Sequence, residues 1–312
     1  MQNFNDLGFG AKINSKNRRL INPDGSFDVR RVGIGLRDIH PYQFLITIPW
    51  WKFFLAIVAI YLSINCIFAL LYVMVGMESL SNSPVDGTFG EQFSHSFFFS
   101  AQTLTTVGYG ATAPQGLWSN VIAVFEAMTG IMLFAIATGI LYGRFSRPSA
   151  RIAYSHHALI APYKEGKAFM FRIVNRRKNQ LIELEAQVTL MWYEMIGGEE
   201  KQRYFGLPLE RKSVTLFPLN WTLVHPIDAS SPLWGVSAAE LEARHAQVLI
   251  TIRAYDDTFA QMVHSRYSYK YTEIIENAKF TPMYYPDPEG RILLELDKVG
   301  DYERVNSEKP DA

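Results

Sequence analysis

Residues Thr105, Thr106, Val107, Gly108, Tyr109 and Gly110 follow one another in the chain, and the chemistry they offer lies in the backbone. Glycines at alternate positions, Gly108 and Gly110, open backbone conformations barred to other residues and let successive carbonyls turn toward one axis. The hydroxyl of Thr106 adds an innermost oxygen. Oxygens arranged in rings can replace the water around a cation, and a dehydrated potassium ion needs about eight of them. One strand cannot supply eight, so four copies of the chain must share such a site. Ion positions are then expected at Thr106, Val107, Gly108 and Tyr109, with Gly110 closing the element. A simple glycine turn in an outer loop would use the same residue types, and the flanking elements separate the two readings.

Three apolar stretches frame these residues. Residues 93–104 (FSHSFFFSAQTL) are aromatic-rich and about half as long as a membrane span. That length suits a re-entrant helix, predicted over about 93–105 and leading into a filter at 106–110. Residues 53–75 carry no charge; as a helix they extend ~35 Å, enough to cross a hydrocarbon core of ~30 Å. Trp50, Trp51 and Lys52 stand at the head of this stretch as interfacial anchors, so an outer helix is predicted over about 50–76. A buried helix of a soluble protein rarely stays apolar on all faces for so long. The second span, residues 117–142, is interrupted only by Glu126, and an inner helix is predicted over about 117–145. An ionisable group at that depth faces a bundle interior or a water-filled cavity, so hydrogen bonding and ion handling are both open to it.

Charge placement orients the spans. The chain has 312 residues, 30 basic and 30 acidic, so nothing global points to nucleic acid. Yet no Lys or Arg occurs from residue 53 through 143, while Arg30, Arg31, Arg37, Lys52, Arg144, Arg147 and Arg151 flank the spans. The connector carries only Glu78, Asp86 and Glu91. The positive-inside rule then predicts a multi-pass plasma-membrane protein with both termini cytoplasmic. Residues 1–20 are polar and read as a flexible cytoplasmic tail (Lys12, Lys16, Arg18, Arg19) rather than a cleavable signal. Residues 39–48, closed by Pro49, fit an interfacial helix lying along the cytoplasmic surface, with an ordinary linker as the alternative.

Within the inner helix, Gly130, Phe134, Thr138 and Tyr142 recur every four residues and share one slowly drifting face. In a tetramer that face lines the cavity below the filter. Gly130 permits bending, and rings of Phe134 or Tyr142 narrow the path into a hydrophobic gate. Ordinary helix packing would use the same spacing.

After Arg151 the periodicity changes. Residues 167–175, 182–195, 248–255 and 265–271 alternate or are rich in β-branched and aromatic residues, and Gly197-Gly198 and Pro288-Glu289-Gly290 mark turns. With little helix beyond residues 237–244, an antiparallel sandwich is predicted for 151–312. No GxGxxG follows a strand here, which argues against a nucleotide-binding regulatory domain. The single cysteine, Cys66, excludes an intrachain disulfide, and the seven histidines, His156-His157 included, show no ligand spacing. No nucleophile-base-orienter set supports an enzyme. A membrane-anchored binding protein would leave the filter element without a use.

Thr106 to Gly110 match the TVGYG filter element of potassium channels. Beyond it the chain resembles the inward-rectifier potassium channel family, most closely its prokaryotic branch, from about residue 22 to 297. The resemblance is carried by Leu219-Asn220-Trp221-Thr222-Leu223-Val224-His225-Pro226-Ile227-Asp228 before Ser231-Pro232-Leu233, by Val263-His264-Ser265-Arg266-Tyr267-Ser268-Tyr269, and by Arg144-Phe145-Ser146-Arg147-Pro148 at the end of the inner helix. It implies an α+β membrane protein: a cytoplasmic N-terminal segment (1–38), a slide helix (39–49), a two-helix pore domain (50–150) and a cytoplasmic immunoglobulin-like β-sandwich (151–312). It also implies a homotetramer that conducts K+ passively, with K+ in the filter and no organic cofactor. A second constriction is implied near Ala260 to His264, and contacts to anionic lipids at Arg144, Arg147 and Arg151, each adding ~1 kcal/mol. Three departures matter. Phe134 stands where strong rectifiers carry an acidic residue, which implies weaker block by internal magnesium or polyamines. Ser149-Ala150-Arg151 replaces the lysine cluster of animal members, and the connector lacks their cysteine pair, which favours a bacterial origin.

Overall fold

The computed structural model describes residues 3–4, 18–30, 32–33, 35, 40–148 and 150–305. The chain forms two compact units, one spanning residues 32–147, the other joining residues 1–31 to 148–312.

The first unit is helical. Helix α1 (Pro41–Thr47) opens with a proline at its start, where a missing N–H is no loss, and buries no residue. The slide helix expected over 39–48 is thus seven residues long, and Ile39 lies outside the described residues. Helix α2 (Trp50–Val75) runs 26 residues, ~39 Å at the usual rise, and stops at Gly76, whose φ of +106° leaves the helical region. It buries only Phe53, Asn65, Ala69 and Tyr72, leaving most of its apolar surface uncovered by the chain itself. Helix α3 (Phe89–Leu104) is 16 residues long, too short to cross. It begins four residues before the predicted start because Thr88 and Glu91 form a reciprocal capping box ahead of the apolar run. Helix α4 (Leu117–Phe145) has 29 residues. Both α2 and α4 are long and apolar enough to span a membrane. A small core of Tyr72, Met77, Leu80 and Phe99 ties α2, the turn after it and α3 together, with the Tyr72 and Phe99 rings edge to face at 5.0 Å.

The second unit is a β-sandwich. One sheet pairs β2 (Ile152–Tyr154), β3 (Ala158–Tyr163), β4 (Gly166–Asn175), β8 (Asn220–Ile227) and β11 (Ile274–Glu276) in the order β11-β3-β4-β2, with β8 also on β4. The other takes β1 (Asn3–Phe4), β5 (Leu181–Ile196), β6 (Glu199–Gly206), β9 (Gln247–Asp256) and β10 (Gln261–Lys270) in the order β1-β6-β5-β9-β10, with β7 (Ser213–Leu216) on β5. The core lies between them: Phe169, Phe171, Ile173 and Leu223 from the first sheet, Val188, Leu190, Ile250 and Ile252 from the second. The four predicted strands and the helix at 237–244, here α5 (Ala238–Ala243), are present. Pairing is antiparallel as expected except at β11, which lies parallel to β3.

Residues 18–27 correct the reading of the N-terminal tail, whose Lys12 and Lys16 fall outside the described residues. Arg19 grips Glu273 with both terminal nitrogens, at 3.0 and 2.6 Å, and donates from Nε to Ser268 Oγ at 2.9 Å. Ser268 in turn donates to the Ile21 carbonyl at 2.6 Å, and the Ile21 side chain is buried. Gln247 accepts from Leu20 N and donates to the Arg18 carbonyl. This part of the tail is therefore docked at the end of β10, through Ser268 and through a bidentate charge-assisted pair with Glu273 in the turn that follows.

His225, on β8, is buried between the Pro208 carbonyl (2.6 Å from Nδ1) and Ser231 Oγ (2.8 Å from Nε2). Burial, opposed by the Pro208 carbonyl, holds its pKa below the usual 6.5. Above pH 6.5 both the folded and the unfolded forms are neutral there. Below it the unfolded chain takes up a proton that the folded domain declines, so stability falls with pH. Hydrogen-exchange protection of β8 amides in the full chain is expected to drop as pH falls below 6.5, and His225→Gln to flatten that dependence.

Candidate functional site

Helix α3 hands the chain directly to the predicted filter, and its C-terminal carbonyls fix the filter's start. Val107 N and Gly108 N both donate to the Gln102 carbonyl, at 3.0 and 3.3 Å, and Thr106 N donates to Thr103 O at 3.0 Å. These bonds satisfy orphan carbonyls at the end of α3. With three N–H groups turned back toward the helix, the carbonyls that follow are left free. Among the described residues no N–H or O–H is placed on the carbonyls of Thr106, Val107, Gly108 or Tyr109.

The hand of the backbone alternates through the element. Thr106, Gly108 and Gly110 have φ of +60°, +50° and +81°, while Val107 and Tyr109 between them do not adopt positive φ. Alternation of this kind turns successive peptide planes the same way, N–H groups to one side and carbonyls to the other. Thr106 is β-branched, so a left-handed conformation there is strained and persists only because its surroundings fix it. Residues 105–110 are all exposed on the protomer. The loop beyond is pinned to the turn after α2: Ser81 N donates to Ala113 O, Gln115 N to Ser79 O, and Asn82 Nδ2 to Ala111 O, at 2.9, 2.7 and 2.7 Å.

Near the end of α3, Glu126 of α4 is buried among the three helices. It accepts from Tyr72 of α2 at 2.8 Å and is bonded to Ser100 of α3, which also lies 3.0 Å from Asn65 Oδ1. Of the two roles open to Glu126, the structure places it in the hydrogen-bonded one. Its partners were the residues sequence reasoning missed. The available signal was polarity inside apolar stretches, with Asn65 the one amide of its span and Ser100 in the aromatic-rich run before the predicted filter.

The predicted inner face divides. Phe134, Thr138 and Tyr142 are exposed on the protomer. Beside Phe134 and Thr106, an apolar groove of about 680 Å³ is bounded by Ile57, Tyr61, Ile131 and Ala137. Gly130 differs from its expected place: it is buried against α3, and a Cβ built on it would sit 1.9 Å from the Leu104 carbonyl oxygen. It is a packing seat for the end of α3, the ordinary helix packing the spacing also allowed, and it borders the groove beside Phe134 as well.

Arg144 has protein partners that the sequence did not announce. One terminal nitrogen donates to the Leu45 carbonyl and the other to the Ile48 carbonyl (2.7 Å), and the guanidinium lies 4.4 Å from the Trp50 ring centroid. It therefore caps the C-terminal end of α1, where a cation is favoured, and remains half-buried there. Arg147 and Arg151 are exposed. In the sandwich unit, Ala260 (φ +49°), Gln261, Met262 and His264 form the exposed tip of the β9–β10 hairpin, where the second constriction was expected.

Comparison with known proteins accords with both units. Residues 152–311 match the inward rectifier potassium channel C-terminal domain, and residues 59–147 match the family described as ion channel. The chain is 33% identical over 293 residues to inward rectifier potassium channel Kirbac3.1 of Paramagnetospirillum magnetotacticum, covering 93% of this chain and 97% of that one. It is 26% identical over 213 residues to inward rectifier potassium channel 4 of Homo sapiens and of Mesocricetus auratus, covering 62% of this chain and 46% of each. The chain thus spans less than half the length of the mammalian relatives but nearly all of the bacterial one. Matched over both units, the chain belongs to the inward rectifier potassium channel family and is a membrane protein that acts as a potassium channel.

Proposed function

We propose that four copies of the chain assemble around one axis and conduct K+ through rings contributed by Thr106, Val107, Gly108, Tyr109 and Gly110. The observation that carries this reading is the alternation of positive φ at Thr106, Gly108 and Gly110, with the N–H groups of residues 106–108 turned back onto α3. It leaves a ladder of carbonyls that a dehydrated ion can use only when several copies face one another. The exposed Phe134, Thr138 and Tyr142 line the path below and gate it by narrowing, with the β9–β10 tip as a second constriction. Arg147 and Arg151 meet anionic lipids at the cytoplasmic face of a bacterial inner membrane, with both termini inside. K+ is the cargo, and no organic cofactor, nucleic acid or catalytic step belongs to this reading.

Liposomes holding the purified protein and an outward potassium gradient should accumulate rubidium-86, and external K+ should suppress that uptake while external Na+ does not. Cross-linking should stop at four chains. Background-level uptake by an inserted tetramer in several lipid mixtures would overturn the reading.

A further inference from the structure

Of the polar side chains fully buried in the helical unit, four form one hydrogen-bonded group: Asn65 and Tyr72 of α2, Ser100 of α3 and Glu126 of α4. No lysine or arginine occurs between residues 53 and 143, so the only such cations of α2 and α4, Lys52 and Arg144, stand at the far ends of these helices, turns away from this carboxylate. The state of Glu126 follows from counting hydrogens. Asn65 donates from Nδ2 to the Tyr61 carbonyl at 2.8 Å, which orients its amide and leaves Oδ1, an acceptor, 3.0 Å from Ser100 Oγ. Ser100 Oγ also meets Glu126 Oε1, and Glu126 Oε2 meets the Tyr72 hydroxyl at 2.8 Å. These are three oxygen–oxygen contacts, and Tyr72 and Ser100 bring one hydrogen each.

An ionised Glu126 brings none, so one contact would set two acceptors against each other in a site closed to water. A neutral Glu126 brings the third hydrogen, and every contact is met: Oε1–H to Ser100 Oγ, Ser100 O–H to Asn65 Oδ1, and Tyr72 O–H to Oε2. Ser100 lies one turn before Leu104, the end of α3. Between them Gln102 carries the carbonyl on which Val107 N and Gly108 N rest.

We propose that Glu126 is held as a neutral carboxylic acid and that the proton it gives Ser100 makes it a positioning residue, seating the last turns of the pore helix, and so the filter, against α2 and α4. The positioning half rests on the filter reading above; the protonation half does not.

Glu126→Gln supplies the same pattern, an N–H toward Ser100 and a carbonyl toward Tyr72. It is expected to assemble and to keep potassium-over-sodium discrimination within about twofold of the parent protein. Glu126→Asp, one methylene short of Ser100, should lose about tenfold or more of that discrimination. Infrared spectra of the parent protein should show the carbonyl stretch of a protonated carboxyl, missing from Glu126→Gln. An infrared difference without that band overturns the neutral acid. Failure of Glu126→Gln to assemble or to discriminate, or full discrimination by Glu126→Asp, overturns the positioning role. Absence of rubidium flux in the parent protein would count against the filter reading alone, because the infrared band is read without conduction.

Discussion

Gly108→Ala is expected to abolish potassium-selective flux while leaving the assembly of chains intact. Gly108 has φ of +50° and sits between the Val107 and Tyr109 carbonyls, in the middle of the alternating run. A side chain in that region costs about 1–2 kcal/mol per copy. A ring of four bears about 4–8 kcal/mol against the conducting conformation, a loss of roughly a thousandfold or more in its population. The alternative conformation available to alanine reverses the hand at this one residue, and the carbonyls beside it no longer point with the others. Assembly is expected to survive because the penalty is conformational: a Cβ at Gly108 meets nothing within 4 Å in the protomer. Rubidium-86 uptake at background, with an unchanged tetramer on cross-linking, is the predicted pair of results. Selective uptake at the parental rate would remove Gly108 from the conduction path. Loss of the tetramer would mean that the residue serves packing instead.

What the sequence reveals here depends on how local the physical demand is. A membrane imposes uniform apolarity over a fixed length, so α2 and α4 are legible from their residues alone, as is the half-length α3. The alternation of the sandwich strands is legible for the same reason, since one face of each must be buried. Three features were not. The start of α3 is set by the Thr88–Glu91 capping box, which lies outside the apolar run that signals the helix. The roles of Arg144 and Arg19 depend on partners about 100 and 250 residues away, Leu45 and Ile48 in one case and Glu273 in the other, and no periodicity announces such a meeting. The third is Gly130. Residues four apart advance about 40° around a helix, so the stripe from Gly130 to Tyr142 turns through about 120°. One end of such a stripe can be open while the other is packed, and spacing alone does not say where the change falls.

The carbonyl ladder, the buried polar cluster and Gly130 form one arrangement. Glu126 and Gly130 are one turn apart on α4, and Ser100 and Leu104 are one turn apart on α3. The first pair meets by hydrogen bonding, Glu126 to Ser100, and the second by close backbone approach, Gly130 to Leu104. The two contacts fix both the depth and the separation of α3 on α4, and the proposed filter begins at Thr106, two residues beyond the second of them.

Gly130→Ala tests that arrangement more severely than any substitution in the filter's surroundings. The added Cβ would lie 1.9 Å from the Leu104 carbonyl oxygen, 2.8 Å from its carbon and 3.2 Å from its Cα. All three are backbone atoms at the end of a helix, so no side-chain rotation relieves the overlap. Restoring ordinary contact requires the helices to part by roughly 1.5 Å, with a cost of about 1–3 kcal/mol per copy in a packed interior. The displaced backbone is the one that positions Gln102 and Thr106, so selectivity should fall together with stability. The expected result is a lowered thermal midpoint of the tetramer and rubidium uptake that sodium now suppresses. Gly139→Ala is the matching control on the same helix. Its Cβ meets nothing within 4 Å in the protomer, and alanine in a helix interior is favoured by about 1 kcal/mol, so stability should hold or rise. A glycine that serves only as a hinge predicts something else for Gly130→Ala: altered opening, with midpoint and selectivity both unchanged. That outcome would place bending, rather than the seating of α3, at this position.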